Sequence, residues 1–203
     1  MSGTVIVILA AGGSRRLGQP KQLLAVSGEP MIRRVVRSAV ESGAEQVVVV
    51  LGSSACDCVS AIKQCGADIV VNPFWESGLA GSIRIGVERA EAAGAESVLI
   101  LLADQPCLTS KITQEFLNRA AARPDQVIAA RYGDVVGPPI LFGSSWFPRL
   151  KALEGDEGAR KLIREQQDSA IEIVDWPEGA IDIDLPEDLP RATLTQQTEE
   201  SRK

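Results

Sequence analysis

Residues 4–13 read TVIVILAAGG, an unbroken apolar, largely β-branched run that stops on two glycines. A strand with one wet face alternates apolar and polar residues. A strand without alternation is covered on both faces, as in a parallel sheet between layers of helix. The same pattern recurs in EQVVVVL (45–51), ADIVVN (67–72), SVLILLA (97–103) and QVIAA (126–130). Helical spacing fills the intervals: 30–42, with Pro30 at its start and Gly43 at its stop, then 54–65 ended by Gly66, 79–93 and 109–122. Alternating strands and helices predict right-handed crossovers and a three-layer α/β/α sandwich around a Rossmann-like, mostly parallel sheet. The second half is less regular, with GPPILF (137–142), helices near 145–153 and 157–167, and AIEIV (170–174). Residues 191–203 are polar and are expected to be a disordered tail.

The 203 residues suffice for one sizeable core. A net charge of −6 argues against a general nucleic-acid or anionic-membrane surface, so a basic cluster here would serve a small anion. No apolar run approaches a membrane span, and no cleavable signal is expected, because strand-like sequence begins at Thr4. Cys56, Cys58, Cys65 and Cys107 match no strong metal spacing and suit a reducing cytoplasm as thiols. The chain contains no histidine, which excludes Ser-His-Asp and Cys-His nucleophiles and histidine metal sites. Its chemistry must rest on carboxylates, Lys, Arg and backbone N–H groups, with or without a bound ion.

In open α/β sheets ligands bind beyond the carboxyl ends of the strands. Three such ends carry distinctive residues: Gly12-Gly13, Asn72-Pro73 and Asp104-Gln105-Pro106. The loop LAAGGSRRLGQPKQLL (9–24) fails the P-loop pattern, because Gln19-Pro20 precede Lys21 and no Ser or Thr follows. It also fails G-x-G-x-x-G. Gly12 and Gly13 could still expose backbone N–H groups to an anion, and Arg15, Arg16 and Lys21 could bind several phosphates. The plain alternative is a flexible loop with solvated cations. Asp104 reads either as a strand-ending turn or as a carboxylate holding Mg2+ against phosphate oxygens.

Taken together, the segments resemble one family. LAAGGSRRLGQPKQLL is similar to the L-A-A-G-x-S-x-R-[ML]-G-x-x-K-x-L-L signature of MobA-like nucleotidyltransferases, in particular the molybdenum cofactor cytidylyltransferases. NPFWESGLAGSIRIGV (72–87), LLADQPCL (101–108), GDEGAR (155–160) and DIDLPEDL (182–189) resemble further motifs of that family, in the same order. The resemblance implies a nucleotide-diphospho-sugar transferase-like fold and one nucleotidyltransferase domain over 1–190. Its nucleotide-binding half would end near 107, with an acceptor-binding half over about 108–190. It implies nucleotide contacts from Leu9, Ala10, Ala11, Gly12, Gly13, Arg16, Lys21, Asn72, Gly78, Ser82 and Asp104. Arg16, Lys21 and Asp104 would be the catalytic groups. Asp104 and Asp184 are the candidate metal contacts, although Asp184 also reads as a turn before Pro186. Gly155, Asp156, Gly158 and Arg160 would lie toward the acceptor.

The implied reaction transfers CMP from CTP to the terminal phosphate of molybdopterin and expels pyrophosphate, with a molybdenum hydroxylase as recipient of the product. A phosphate monoester is already largely ionised at pH 7, so the attack needs no general base and hence no histidine. Ala11 stands where related guanylyltransferases carry glycine, which implies a floor narrowed toward a pyrimidine. Two departures fall on the acceptor side: Gly137-Pro138-Pro139 where some relatives read G-H-P, and Leu185 where threonine is common. Another phosphorylated acceptor, such as a sugar or alditol phosphate, is one alternative. A non-catalytic molybdenum cofactor carrier is another. A dinucleotide-binding oxidoreductase is opposed by the glycine spacing.

Overall fold

The computed structural model describes residues 3–14, 19–123, 125–166 and 171–181. Along the chain run β1 (Thr4–Ala10), β2 (Ala25–Val26), β3 (Glu29–Pro30), α1 (Met31–Glu41), β4 (Gln46–Leu51), α2 (Ala55–Ile62) and β5 (Asp68–Val71). These are followed by α3 (Leu79–Ala92), β6 (Ser97–Leu102), α4 (Ser110–Ala122), β7 (Val127–Tyr132), β8 (Val135–Gly143), α5 (Phe147–Lys151), α6 (Arg160–Arg164) and β9 (Ile171–Asp175). Seven strands form one sheet in the order β5-β4-β1-β6-β8-β7-β9, and β2 and β3 make a separate small hairpin.

β1 is buried along its whole length between parallel neighbours, with Val7 opposite Val48 on one side and Ile100 on the other. Its side chains serve the two faces in turn. Ile6 and Ile8 join Ile32 and Val35 of α1, Cys58 of α2 and Phe116 of α4. Val5 and Val7 join Ile83 and Val87 of α3, Phe147 of α5 and Leu162 of α6. Two apolar cores on opposite sides of one sheet constitute the expected three layers.

One strand departs from parallel pairing: β8 runs antiparallel to both β6 and β7. It is the second arm of a hairpin closed by Gly133 and Asp134, with Gly133 at φ +61°. The segments 126–130 and 137–142 are therefore the visible cores of two longer strands that meet at a tight turn. The helix expected at 157–167 is also shorter, spanning Arg160–Arg164. No described helix is long and apolar enough to cross a membrane. The cysteines form no disulfide; burial, with the nearby Asp57 carboxylate, pushes the Cys58 thiol up to about 11 and leaves it an inert core group.

The chain runs from β1 out to β4 and β5, then returns to place β6 on the other side of β1. The carboxyl ends of β1 and β6 therefore flank the point where strand order reverses, the usual seat of a ligand in such sheets.

Candidate active site

A cavity of about 430 Å3 opens at that reversal. Leu9 to Gly13 line it from the end of β1, and Leu102 to Asp104 from the end of β6. Gln22 builds its floor. This side chain is only 3% exposed, and its amide donates to the Ala10 carbonyl at 3.2 Å and the Gly12 carbonyl at 2.7 Å. Ser14 completes the loop: its hydroxyl donates to Gln22 Oε1 at 3.3 Å and accepts the Lys21 N–H at 2.9 Å. The strand end is thus tied to the 3-10 turn Lys21–Leu23, which presents Lys21 to the cavity.

Lys21 Nζ lies 2.5 Å from Asp104 Oδ2. Two groups 83 residues apart in the chain become one charged contact at the strand reversal. Asp104 Oδ1 is buried and accepts no hydrogen bond among the described residues. A buried carboxylate oxygen in that condition favours a cation beside it. Mg2+ is commonly held by one or two carboxylates together with phosphate oxygens, and Asp104, in a cavity that Glu76 and Asp156 also line, fits that donor set. The described residues contain no cluster of three or more metal-ligating side chains. Arg16 and Asp184 lie outside the described residues.

The glycine loop owes one of its glycines to an aromatic neighbour. A Cβ on Gly13 would stand 2.7 Å from Cζ3 and Cη2 of Trp75, and one on Gly52 would stand 2.5 Å from Trp75 Cβ. Trp75 therefore lies between the loops that follow β1 and β4, and it walls the cavity. Neither Gly12 nor Gly13 adopts positive φ, whereas Ser14 does, at +48°. Gly13 is demanded by close approach instead. The Ala11 methyl faces Gly52 and would come within 2.8 Å of a Cβ placed there.

Ser82, on the first turns of α3, lines the cavity and accepts a hydrogen bond from Asn72 Nδ2 at 3.0 Å. Asn72 itself is 2% exposed and does not line the cavity; its Oδ1 accepts the Phe74 N–H at 2.9 Å. The structure places Asn72 behind the wall, orienting Ser82 and the Trp75 segment. Gly78 lines the cavity at φ +114°, pressed against Gly155, whose carbonyl accepts the Ala80 N–H at 3.0 Å.

Beyond that contact a second cavity of about 550 Å3 adjoins the first, sharing Leu9, Leu79, Leu102 and Asp156 as walls. Gly158 and Arg160 line this second space and not the first, and Arg160 Nε donates to the Val136 carbonyl at 3.1 Å. Gly155 serves through its backbone. The sequence motifs contain Gln22 and Gln105 but give no sign of what either holds, because their roles appear only once separate strand ends meet.

Residues 6–170 match the model of the MobA-like NTP transferase domain. The chain is 34% identical over 196 residues to the purine catabolism protein PucB of Bacillus subtilis, covering 90% of this chain and 92% of that one. It is 30% identical over 188 residues to a molybdenum cofactor guanylyltransferase of Rhodobacter capsulatus, covering 92% and 93%. The crystal structure of Rv0371c from Mycobacterium tuberculosis superposes with a TM-score of 0.82 at 29% identity, covering 95% of this chain and 98% of that one. A structure of Rv0371C in complex with manganese gives 0.78 at 26% identity, again over 95% and 98%. With the family model matching most of its length and these relatives matching nearly all of it, the chain belongs to the MobA-like NTP transferase family.

Proposed function

We propose that this nucleotidyltransferase moves CMP from CTP to the terminal phosphate of molybdopterin, releasing pyrophosphate. The Lys21–Asp104 contact in the wall of the first of two adjoining cavities carries this reading. The nucleotide occupies the first cavity and the acceptor the second. An acceptor phosphate oxygen forms a bond to the α-phosphorus of CTP as the bond to the β-phosphate oxygen breaks. The electron pair leaves with pyrophosphate. The acceptor is already ionised, so the protein moves no proton; it aligns the two phosphates and offsets their charge.

Lys21 places its ammonium against the triphosphate, and Arg16 is proposed to share that role. Asp104, with Asp184 as the second candidate, would hold the divalent cation, proposed to be Mg2+, together with phosphate oxygens. Bound there, the cation would withdraw charge from the departing pyrophosphate. Asp156, Gly158 and Arg160 are proposed to face the acceptor, while Gly155, which lines neither cavity, holds the segment through its carbonyl bond to the Ala80 N–H. A molybdenum hydroxylase is proposed as the recipient of the finished cofactor.

The relatives' names point in two directions, one to purine catabolism and one to guanylyl transfer onto molybdenum cofactor. The molybdopterin acceptor is supported by the second of these and by the GDEGAR segment in the wall of the second cavity. The preference for CTP rests on Ala11, whose methyl occupies floor space beside Gly52 that glycine would leave open. One methyl group in a snug site discriminates by about ten- to a few-hundredfold. Pyrophosphate release with molybdopterin and Mg2+ should therefore be faster with CTP than with GTP, and Ala11→Gly should shift the kcat/KM ratio toward GTP by about tenfold. A wild-type enzyme that prefers GTP would overturn the base assignment while leaving the transfer chemistry in place.

A further inference from the structure

Helix α1 carries three arginines, Arg33, Arg34 and Arg37, that the sequence does not tell apart. The fold sends them to different places. Arg37 pairs with Glu29 and Glu41 at the surface, and Arg33 reaches Glu29 and the Ala61 carbonyl of α2. Arg34 is half-buried, and its Nε donates to the Pro106 carbonyl at 2.9 Å. One turn on, Ser38 is 7% exposed and donates its hydroxyl to the Leu108 carbonyl at 3.2 Å. Residues four apart share a helix face, so the two act on one segment.

That segment is the loop that begins at Asp104. The Ala103 N–H still donates to the Leu9 carbonyl, which extends the pairing of β1 and β6 by one bond. Beyond it the loop leaves the sheet. The Leu108 N–H closes a turn on the Gln105 carbonyl at 3.1 Å, and the Gln105 amide donates to the Pro138 carbonyl at 2.8 Å. Pro106 has no N–H with which to join a ladder. Asp104 therefore stands between a strand end and a turn that α1 fastens at two carbonyls, 72 and 70 residues away in the chain. Productive geometry at such sites is held to about 0.5 Å, and groups one step behind a metal ligand are commonly worth ten- to a hundredfold in metal affinity.

On the reading of Asp104 as the ligand of the divalent cation, we propose that Arg34 is a positioning residue for that carboxylate, with Ser38 as its second tether. Arg34 lines neither cavity. It fixes the Pro106 end of the loop and, through it, the place of Asp104.

The test compares the affinity of the full-length enzyme for α,β-methylene-CTP, which cannot release pyrophosphate, in Mn2+ and in EDTA by titration calorimetry. The ratio of the two affinities reads the enzyme's own hold on the cation. Wild type should bind more tightly with Mn2+, and Arg34→Met should lose about tenfold of that ratio. A merely loosened cavity would weaken both affinities and leave the ratio where it was. Asp104→Asn should itself have a low ratio, and adding Arg34→Met to it should cost nothing further, because the effect passes through that carboxylate. Should Arg34→Met not fold, Ser38→Ala removes the other tether and reads the same ratio. An unchanged ratio in the folded variant, a further loss beside Asp104→Asn, or no gain from Mn2+ in wild type would each overturn the proposal. The GTP analogue is titrated as well, so an error in the base assignment leaves the test intact. The assay contains no acceptor, so its failure leaves the transfer reading standing. Failed transfer beside an Arg34-dependent ratio would remove the transfer reading alone.

Discussion

Lys21→Ala should lower kcat/KM for pyrophosphate release by about a hundred- to a thousandfold, the usual loss when one preorganised electrostatic group is removed from a charged transition state. The ammonium is held from both ends of its residue: the backbone N–H donates to Ser14 and Nζ contacts Asp104. Alanine removes the charge facing the phosphates and leaves the Asp104 carboxylate without its partner. Stability should change little. The two side chains are 20% and 23% exposed, and a partly solvated pair is worth about 1 kcal/mol or less once solvent screening is counted. Lys21→Arg should restore only a small part of the rate, because a planar fork does not replace a compact ammonium 2.5 Å from Asp104 Oδ2. Steady-state kinetics beside thermal unfolding separates the two effects. A Lys21→Ala enzyme that keeps a tenth of wild-type activity would remove Lys21 from the chemistry.

The second large effect is structural. A Cβ on Gly78 would stand 2.1 Å from the Gly155 carbonyl oxygen and 2.2 Å from its carbon, at φ +114°. Gly78→Ala therefore combines a forbidden backbone region with a collision against main chain, which has little freedom to retreat. We expect a loss of about 3 kcal/mol or more in urea unfolding. Activity should fall as well, because this contact joins the segment before α3 to the segment carrying Asp156. Gly94→Ala is the control. It also has positive φ, at +80°, but its Cβ would meet nothing within 4 Å, so about 1 kcal/mol is expected. Equal losses in the two variants would show that backbone conformation alone, and not the Gly155 contact, decides the cost.

The buried strands were legible because β1, β4 and β6 are nearly pure apolar runs, and only a doubly covered sheet tolerates such runs. Asp104 was legible for a related reason: a carboxylate directly after such a run must sit at a strand end. The direction of β8 was harder to read. Arg131, Tyr132, Gly133 and Asp134 look like the middle of a loop, and their place in a continuous hairpin follows only when Val135–Gly143 pairs with both β6 and β7.

Site roles divide along the same line. A motif shows that a residue belongs to the site but not whether it touches ligand or holds another residue. Asn72 reads as a nucleotide contact, yet its amide is taken up by Ser82 and Phe74 behind the wall. Gln22 reads as filler between Lys21 and Leu23, yet it closes the loop through two carbonyls. Gly13 reads as backbone freedom, yet it is space for an indole that arrives from a distant segment. Each of these roles depends on a partner supplied by tertiary contact, which local spacing does not encode.

The most direct test of the account is mass spectrometry of the products formed from CTP, Mg2+ and molybdopterin by the wild type and by Asp104→Asn. The account predicts molybdopterin carrying one added CMP, with one pyrophosphate released per conjugate, and neither product from the variant. Free CMP without a conjugate, or conjugate formed equally well by Asp104→Asn, would contradict it.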